Sequence, residues 1–256
     1  SFRQSLKLPL TKAVLSTRRG GFSKAPYNDL NLGDHVKDDL NAVLKNREIV
    51  LKECGFKAIA WMNQTHSTKV CKVTMADTSS KIDADAIVTN EPGLGLAVMT
   101  ADCLPVILAD EIAGVFAAVH CGWRGIYGHI LTNAVNMMKE CKARKIKAAL
   151  GPAIGFDSFE IGADLKEKFL ALGAPLSAFK ETQEKKGRQS FMLIEQLAAF
   201  ELKSLGFEPK DIEILPFDTF KDTEKFFSYR KNNVTGRMAG IIGKITKVQT
   251  FIILLL

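Results

Sequence analysis

The stretch from Leu94 to His120, LGLAVMTADCLPVILADEIAGVFAAVH, contains three short runs of Leu, Val, Ile and Ala separated by polar turns. Residues 94–99, 105–109 and 115–119 are too short for ordinary helices and too uniformly apolar for surface strands. They therefore read as buried strands. Working outward, the same signature covers 58–62, 69–74 and 84–89 on one side, and 148–150, 191–193, 212–215, 226–229 and 238–242 on the other. Apolar residues at helical spacing predict a helix over 38–54, with Asp38 as N-cap and Gly55 just beyond its end. Further helices are expected over 127–141, which would contain His129, and over 163–172 and 194–205. The strands cluster instead of alternating regularly with helices. That implies an α+β fold, a mixed β-sheet flanked by helices, in one domain over 1–256. The polar run 180–189 (KETQEKKGRQ) reads as an exposed loop. The closing run 251–256 (FIILLL) reads as a terminal strand, far short of the ~20 residues that span a bilayer.

Composition narrows the function classes. The chain has 256 residues, 46% of them apolar, enough for a sizeable core. Lys+Arg number 35 against Asp+Glu 28, a formal charge of +7 that would suit an anionic ligand. The lysines are spread from Lys7 to Lys247 without the clustered, aromatic-interleaved patch of a nucleic-acid surface, so no nucleic-acid partner is expected. The first residues carry no apolar segment of the secretory type, and no membrane association is expected. Five cysteines, Cys54, Cys71, Cys103, Cys121 and Cys141, are odd in number and lack CxxC spacing. Reduced thiols in a cytoplasmic protein are the expectation. The oligomeric state is left open.

Four histidines allow each to be weighed. His129 falls within a predicted helix and reads as structural. His35, His66 and His120 lie in turn-like sequence, and His66, Cys103 and His120 each stand at the exit of an apolar strand, where a rigid scaffold presents functional groups. Two imidazoles and a thiolate make a zinc donor set that leaves a fourth position open. Cys121 is the candidate to close it. The same atoms support a rival reading, a cysteine hydrolase with Cys103 as nucleophile, His66 or His120 as base and Asp102 as orienter. A third reading leaves all of them as packed core or loop residues, and spacing alone does not separate the three. Arg18 and Arg230 are candidate anion binders, and Trp123 could stack on a planar ligand. Asn28, His35 and Gln64 are candidate substrate contacts.

Ordered segments then carry a resemblance: 17–21 (TRRGG), 30–36 (LNLGDHV), 64–67 (QTHS), 83–86 (DADA), 100–105 (TADCLP), 120–125 (HCGWRG), 151–155 (GPAIG) and 227–230 (FSYR). Together they resemble the YfiH-like laccase-domain proteins, also described as purine nucleoside enzymes, over nearly the whole chain. The resemblance implies that His66, Cys103 and His120 ligate one metal, zinc or alternatively copper. It also implies phosphorolysis of adenosine, inosine or methylthioadenosine and deamination of adenosine, with nucleosides and phosphate as partners. The chain departs from the family where Phe156-Asp157-Ser158-Phe159 follows Gly155 and where Cys121 follows His120. Two alternatives stay with the resemblance. One is a hydrolase that edits peptidoglycan precursors. The other is a copper polyphenol oxidase, with Met62 or Met99 as a weak copper ligand. A multicopper laccase needs many imidazoles, and four histidines cannot furnish its trinuclear cluster.

Overall fold

The computed structural model describes residues 11–184 and 187–246. In chain order the elements are β1 (Thr11–Leu15), α1 (Leu40–Cys54), β2 (Ala58–Asn63), β3 (Val70–Lys72), β4 (Ile82–Asp83), β5 (Ala86–Thr89), β6 (Leu94–Thr100), β7 (Leu104–Asp110) and β8 (Val115–Cys121). They continue with α2 (Trp123–Tyr127), α3 (Ile130–Glu140), β9 (Lys147–Leu150), β10 (Glu160–Ile161), α4 (Ala163–Ala171), β11 (Phe179–Glu184), β12 (Gly187–Met192), α5 (Ile194–Ser204), β13 (Ile212–Ile214) and β14 (Met238–Lys244). The α+β class with mixed pairing is as the sequence implies. The strands divide among a five-stranded sheet (β1-β14-β6-β2-β4), a six-stranded sheet (β13-β9-β7-β8-β5-β3) and a three-stranded sheet (β10-β12-β11).

Period-two alternation along the central strands explains the layering. In β8, Val115, Ala117, Val119 and Cys121 face a core shared with Ile130, Leu131 and Ala134 of α3 and Leu197 and Leu202 of α5. Phe116 and Ala118 point the other way, into a second core with Leu96, Val98 and Ile242 of the five-stranded sheet. The opposite face of that sheet, through Ala97, Met99 and Ile241, packs on Val50 and Cys54 of α1. Helices thus cover the outer faces of two stacked sheets. Strands buried on both faces lose the polar alternation of a surface strand, which is why their sequences are uniformly apolar.

Several sequence expectations need correction. The N-cap of α1 is Asp39, whose side chain accepts from the Asn41 N–H, while Asp38 accepts from Asn31 Nδ2; Gly55 closes the helix in the left-handed region as expected. Of the helix expected over 127–141, Ile130–Glu140 forms α3, while Tyr127 ends the separate short helix α2. His129 adopts φ 63° as the N-cap of α3 and is exposed, and hydrophobic spacing carries through such a break unaltered. The expected loop over 180–189 belongs largely to the antiparallel β11–β12 pair, held by main-chain bonds and anchored at its base by buried Phe179 and Met192. The expected strand over 226–229 is irregular backbone. Its apolar run exists because Phe226 and Phe227 fill a small core with Ala101 and Met238. β1 and the short β4 and β10 escaped the sequence reading. The expected strand over 251–256 lies outside the described residues.

Glu195, in the first turn of α5, is 6% exposed and has one carboxyl oxygen without a partner. Burial pushes its carboxyl up to about 7; its own backbone N–H opposes the rise and Asp218 adds to it. Between the ordinary glutamate value and about 7 the folded state therefore holds a proton that the unfolded chain has released. Stability falls as pH rises through that window, by roughly 3 kcal/mol at pH 8. Urea unfolding of Glu195→Gln should match the parent at pH 5 and exceed it at pH 8 by about that amount. Equal stabilities at both pH values would show that Glu195 ionises freely in the fold.

Candidate metal centre

The trio is assembled where the two larger sheets meet. His66 follows β2 of the five-stranded sheet, Cys103 sits in the turn that passes from β6 of that sheet to β7 of the other, and His120 is the penultimate residue of β8. Their ligand atoms all lie within 4.8 Å of one another, and Cys103 Sγ is 3.8 Å from His66 Nε2. Ligand atoms around a tetrahedral zinc are about 3.4–3.6 Å apart, so the trio would fit a single ion once its widest separation closes by about an ångström. Gly122 leaves the room this needs. A Cβ there would stand 2.9 Å from His66 Cδ2 and 3.4 Å from Cys103 Sγ.

Asp85 organises the trio, and it escaped the sequence reading as a site residue. It is fully buried beside β5, and its Oδ2 accepts from Thr65 N (3.1 Å), Ser67 N (2.7 Å) and Ser67 Oγ (2.7 Å). Its Oδ1 accepts from His66 N (3.0 Å) and from His120 Nδ1 (2.8 Å), while its backbone carbonyl accepts from His120 N at 2.7 Å. The carboxylate thereby fixes the loop that carries His66 at φ 61° and turns His120 so that Nε2 is its remaining ligand atom. A carboxylate behind a ligating imidazole sets its tautomer and orientation in this way. Burial alone would raise the Asp85 carboxyl, but hydrogen bonds from His120 and Ser67 hold it far below the usual range. The signal in the sequence was 83–86 (DADA), where an acidic residue interrupts an apolar run.

The electrostatics favour a Cys103 thiolate paired with a protonated His120, so a metal binding there would displace the His120 proton. Burial pushes the Cys103 thiol up, but the charge of His120 and hydrogen bonds from His120 and His66 outweigh it, leaving the thiol at about 6. His120 moves oppositely, to about 9, because Cys103 and Asp85 overcome its burial. Cys121 faces the other side of β8, in the core under α2 and α3, and burial raises its thiol well above the ordinary value. Adjacent residues on a strand point to opposite faces, so Cys121 does not complete the ligand set.

The remaining candidates separate by location. Asp102, at φ 94°, does not orient a histidine: its Oδ1 accepts from Thr219 Oγ1 at 2.7 Å and its Oδ2 from Arg230 N at 2.6 Å. The orienting role falls to Asp85. Gln64 clasps the backbone of Met99, donating to its carbonyl and accepting from its N–H. Arg18 stacks on Phe227 at 4.5 Å and donates to the carbonyls of Asn28 and Thr223. Arg230, exposed, stacks on Phe159 and donates to the carbonyl of Glu160. His35 is partly exposed beside Asp34, and partial desolvation of its ring together with the charge of Arg237 holds it below its usual value. Trp123 packs on the helix-side core with Arg124 over its ring. Met62 lies in the core between the sheets, and Met99 Sδ meets the Arg47 guanidinium at 3.7 Å. Arg237 escaped the sequence reading. Its charge is coupled to Cys103 and Asp102, and its guanidinium donates to the carbonyls of Thr235 and Gly236. Gly33 makes room for its stem, since a Cβ at Gly33 would stand 2.8 Å from Arg237 Cγ.

Replacing Asp85 by Asn should weaken metal binding by roughly 10–100-fold, because His120 loses its orienting acceptor and the 65–67 loop meets an amide nitrogen. Competition with a chromogenic chelator measures this directly. Unchanged affinity in a folded variant would restrict Asp85 to a structural role.

Residues 12–244 match the family model described as multi-copper polyphenol oxidoreductase laccase. The chain is 39% identical over 232 residues to a Haemophilus influenzae protein named purine nucleoside phosphorylase, covering 90% of this chain and 93% of that one. It is also 39% identical over 233 residues to purine nucleoside phosphorylase YfiH of Escherichia coli, covering 90% and 92% respectively. The solved structure of Neisseria meningitidis protein NMB0706 superposes with a TM-score of 0.82 at 38% identity, covering 92% of this chain and 94% of that one. The family match over residues 12–244, the sequence identity and the shared fold place the chain in the YfiH-like family of the multi-copper polyphenol oxidoreductase laccase type.

Proposed function

We propose that this protein is a zinc-dependent purine nucleoside phosphorylase that cleaves adenosine, inosine or methylthioadenosine with phosphate and also deaminates adenosine to inosine. The observation that carries the reading is the convergence of two imidazoles and a thiolate within 4.8 Å, with His120 oriented by Asp85. It occurs in a chain 39% identical to proteins named purine nucleoside phosphorylase. Two nitrogen donors and one thiolate favour zinc, and three protein ligands leave one position for substrate or water. When bound there, the ion supplies a Lewis acid beside the reacting atoms.

In phosphorolysis a phosphate oxygen bonds to the sugar C1′ while the C1′–N bond breaks, and the purine leaves with the electron pair and takes up a proton. The chain's own groups must place phosphate and nucleoside for this in-line exchange. Arg230 and Arg18 are the proposed phosphate contacts, both on or against the 226–230 segment that Asp102 ties to the metal ligands through Arg230 N. Asn28 and His35, whose side chains are exposed, are the proposed nucleoside contacts. Gln64 and Asp102, both engaged within the protein, hold the loops on which His66 and Cys103 stand. Deamination rests on the family resemblance and on the suitability of an open metal position for attack at the purine C6.

One observation favours a second reading. A Cys103 thiol at about 6, beside His120 with Asp85 behind it, is a Cys–His–Asp arrangement. It would serve a hydrolase acting on an amide, such as a peptidoglycan precursor. Protein purified without added metal should contain near-stoichiometric zinc and release adenine from adenosine only when phosphate is present, with inosine forming independently of phosphate. Cys103→Ser should lose zinc and turnover together. Turnover lost with zinc fully retained would establish the nucleophile reading instead. Arg230→Ala should slow phosphate-dependent cleavage at least about tenfold more than deamination, the order expected for a lost charge-assisted contact. An equal loss in both would remove Arg230 from the phosphate site.

A further inference from the structure

Beyond the metal centre, a pocket of about 380 Å³ opens among the helices on the far side of β8. Its walls are Ile126 of α2, Phe169 of α4, Ala174, and Leu197 and Phe200 of α5. The volume is within the range of small-molecule sites, and the lining has their usual character, mostly apolar with few polar groups. Among the described residues, no lysine or arginine lines it. Its single acid is Glu201, whose side chain is 8% exposed.

Glu201 is only half satisfied. Oε1 accepts from Thr132 N and Thr132 Oγ1, both at 2.8 Å, and stands 4.0 Å from His129 Nδ1 at the rim. Oε2 is screened from water and has no hydrogen-bond partner among the described residues. A buried carboxyl oxygen left in this state is costly, and a donor brought by a ligand would relieve the cost. The apolar walls lower the local dielectric around such a contact, which strengthens it. Presenting Oε2 to a ligand requires turning about the broad terminal carboxyl torsion of glutamate, and the ligand's donor offsets any loosening of the Thr132 bonds. Leu172 at the mouth is 44% exposed, an apolar surface next to the opening.

We propose that this pocket is a second ligand site, separate from the metal centre, for a small molecule with an apolar body and a protonated amine that binds Glu201. The Phe169, Leu197 and Phe200 side chains take the body, and the ammonium donates to Oε2. The acid selects a cation over a neutral or anionic analogue of the same shape.

The test uses the full chain with phenethylammonium as probe and 2-phenylethanol as its neutral counterpart, both followed by isothermal titration. The ammonium should bind saturably with a dissociation constant in the millimolar range, as its size allows, and the alcohol about tenfold more weakly. Glu201→Gln should abolish the difference between the two probes. Ala174→Phe, which fills the pocket from its wall and keeps Glu201, should bind neither. Equal binding of ammonium and alcohol to the parent, a preference retained in Glu201→Gln, or no saturable ammonium binding would each overturn the proposal. If Glu201→Gln fails to fold, the probe comparison and Ala174→Phe decide alone.

Discussion

A single buried carboxylate, that of Asp85, is the constraint on which the site depends. It gathers three backbone N–H groups and a hydroxyl from 65–67, and the imidazole of His120, around two oxygen atoms with no access to water. A buried charge is tolerated only when hydrogen bonds replace its hydration, and here the replacement groups are those that position two of the three ligands. Hydrogen bonds from His120 and Ser67 hold this carboxyl far below the usual range, which favours the ionised acceptor that holds the imidazole.

The sheets supply the rest of the geometry. His66, Cys103 and His120 lie on three chain segments that meet only because the five- and six-stranded sheets share an apolar interior built from Leu96, Val98, Ile107, Phe116 and Ala118. The turn bearing Cys103 is also the crossing from one sheet to the other, so a shift of either sheet would move the thiol relative to the imidazoles. Left-handed backbone at His66 and Asp102 is held by the Asp85 bonds on one side and by Thr219 and Arg230 on the other. Such strained conformations persist only where the surroundings over-determine them, and they concentrate at functional sites.

Charge is distributed unevenly through these layers. The surface is basic, yet Asp85, Glu195 and Glu201 are buried within it. Asp85 is fully compensated, whereas Glu195 and Glu201 each leave one oxygen without a partner. Half-satisfied acids under a helix layer lower stability when they ionise. They do give the helical side a polar chemistry distinct from the arginine-bearing 226–230 and 237 segments near the metal centre.

The sequence by itself determined the class of the fold and singled out His66, Cys103 and His120 as a candidate metal-binding trio. Runs such as 94–99, 105–109 and 115–119 are apolar on both faces because both sheet faces are covered, and that signature survives without any tertiary knowledge. Imidazole and thiolate side chains at strand exits likewise announce metal chemistry through their residue types. Tertiary structure decided what depends on partners distant in the chain. Asp85 reads as an ordinary acid until the 65–67 loop folds over it, and Asp102 reads as an orienter until Thr219 and Arg230 claim its oxygens. The break at His129 and the strands within 179–192 are set by one backbone torsion and by main-chain pairing, neither of which changes side-chain periodicity. Residue type fixes which chemistry a group can perform, whereas burial and the identity of its neighbours decide whether it performs it.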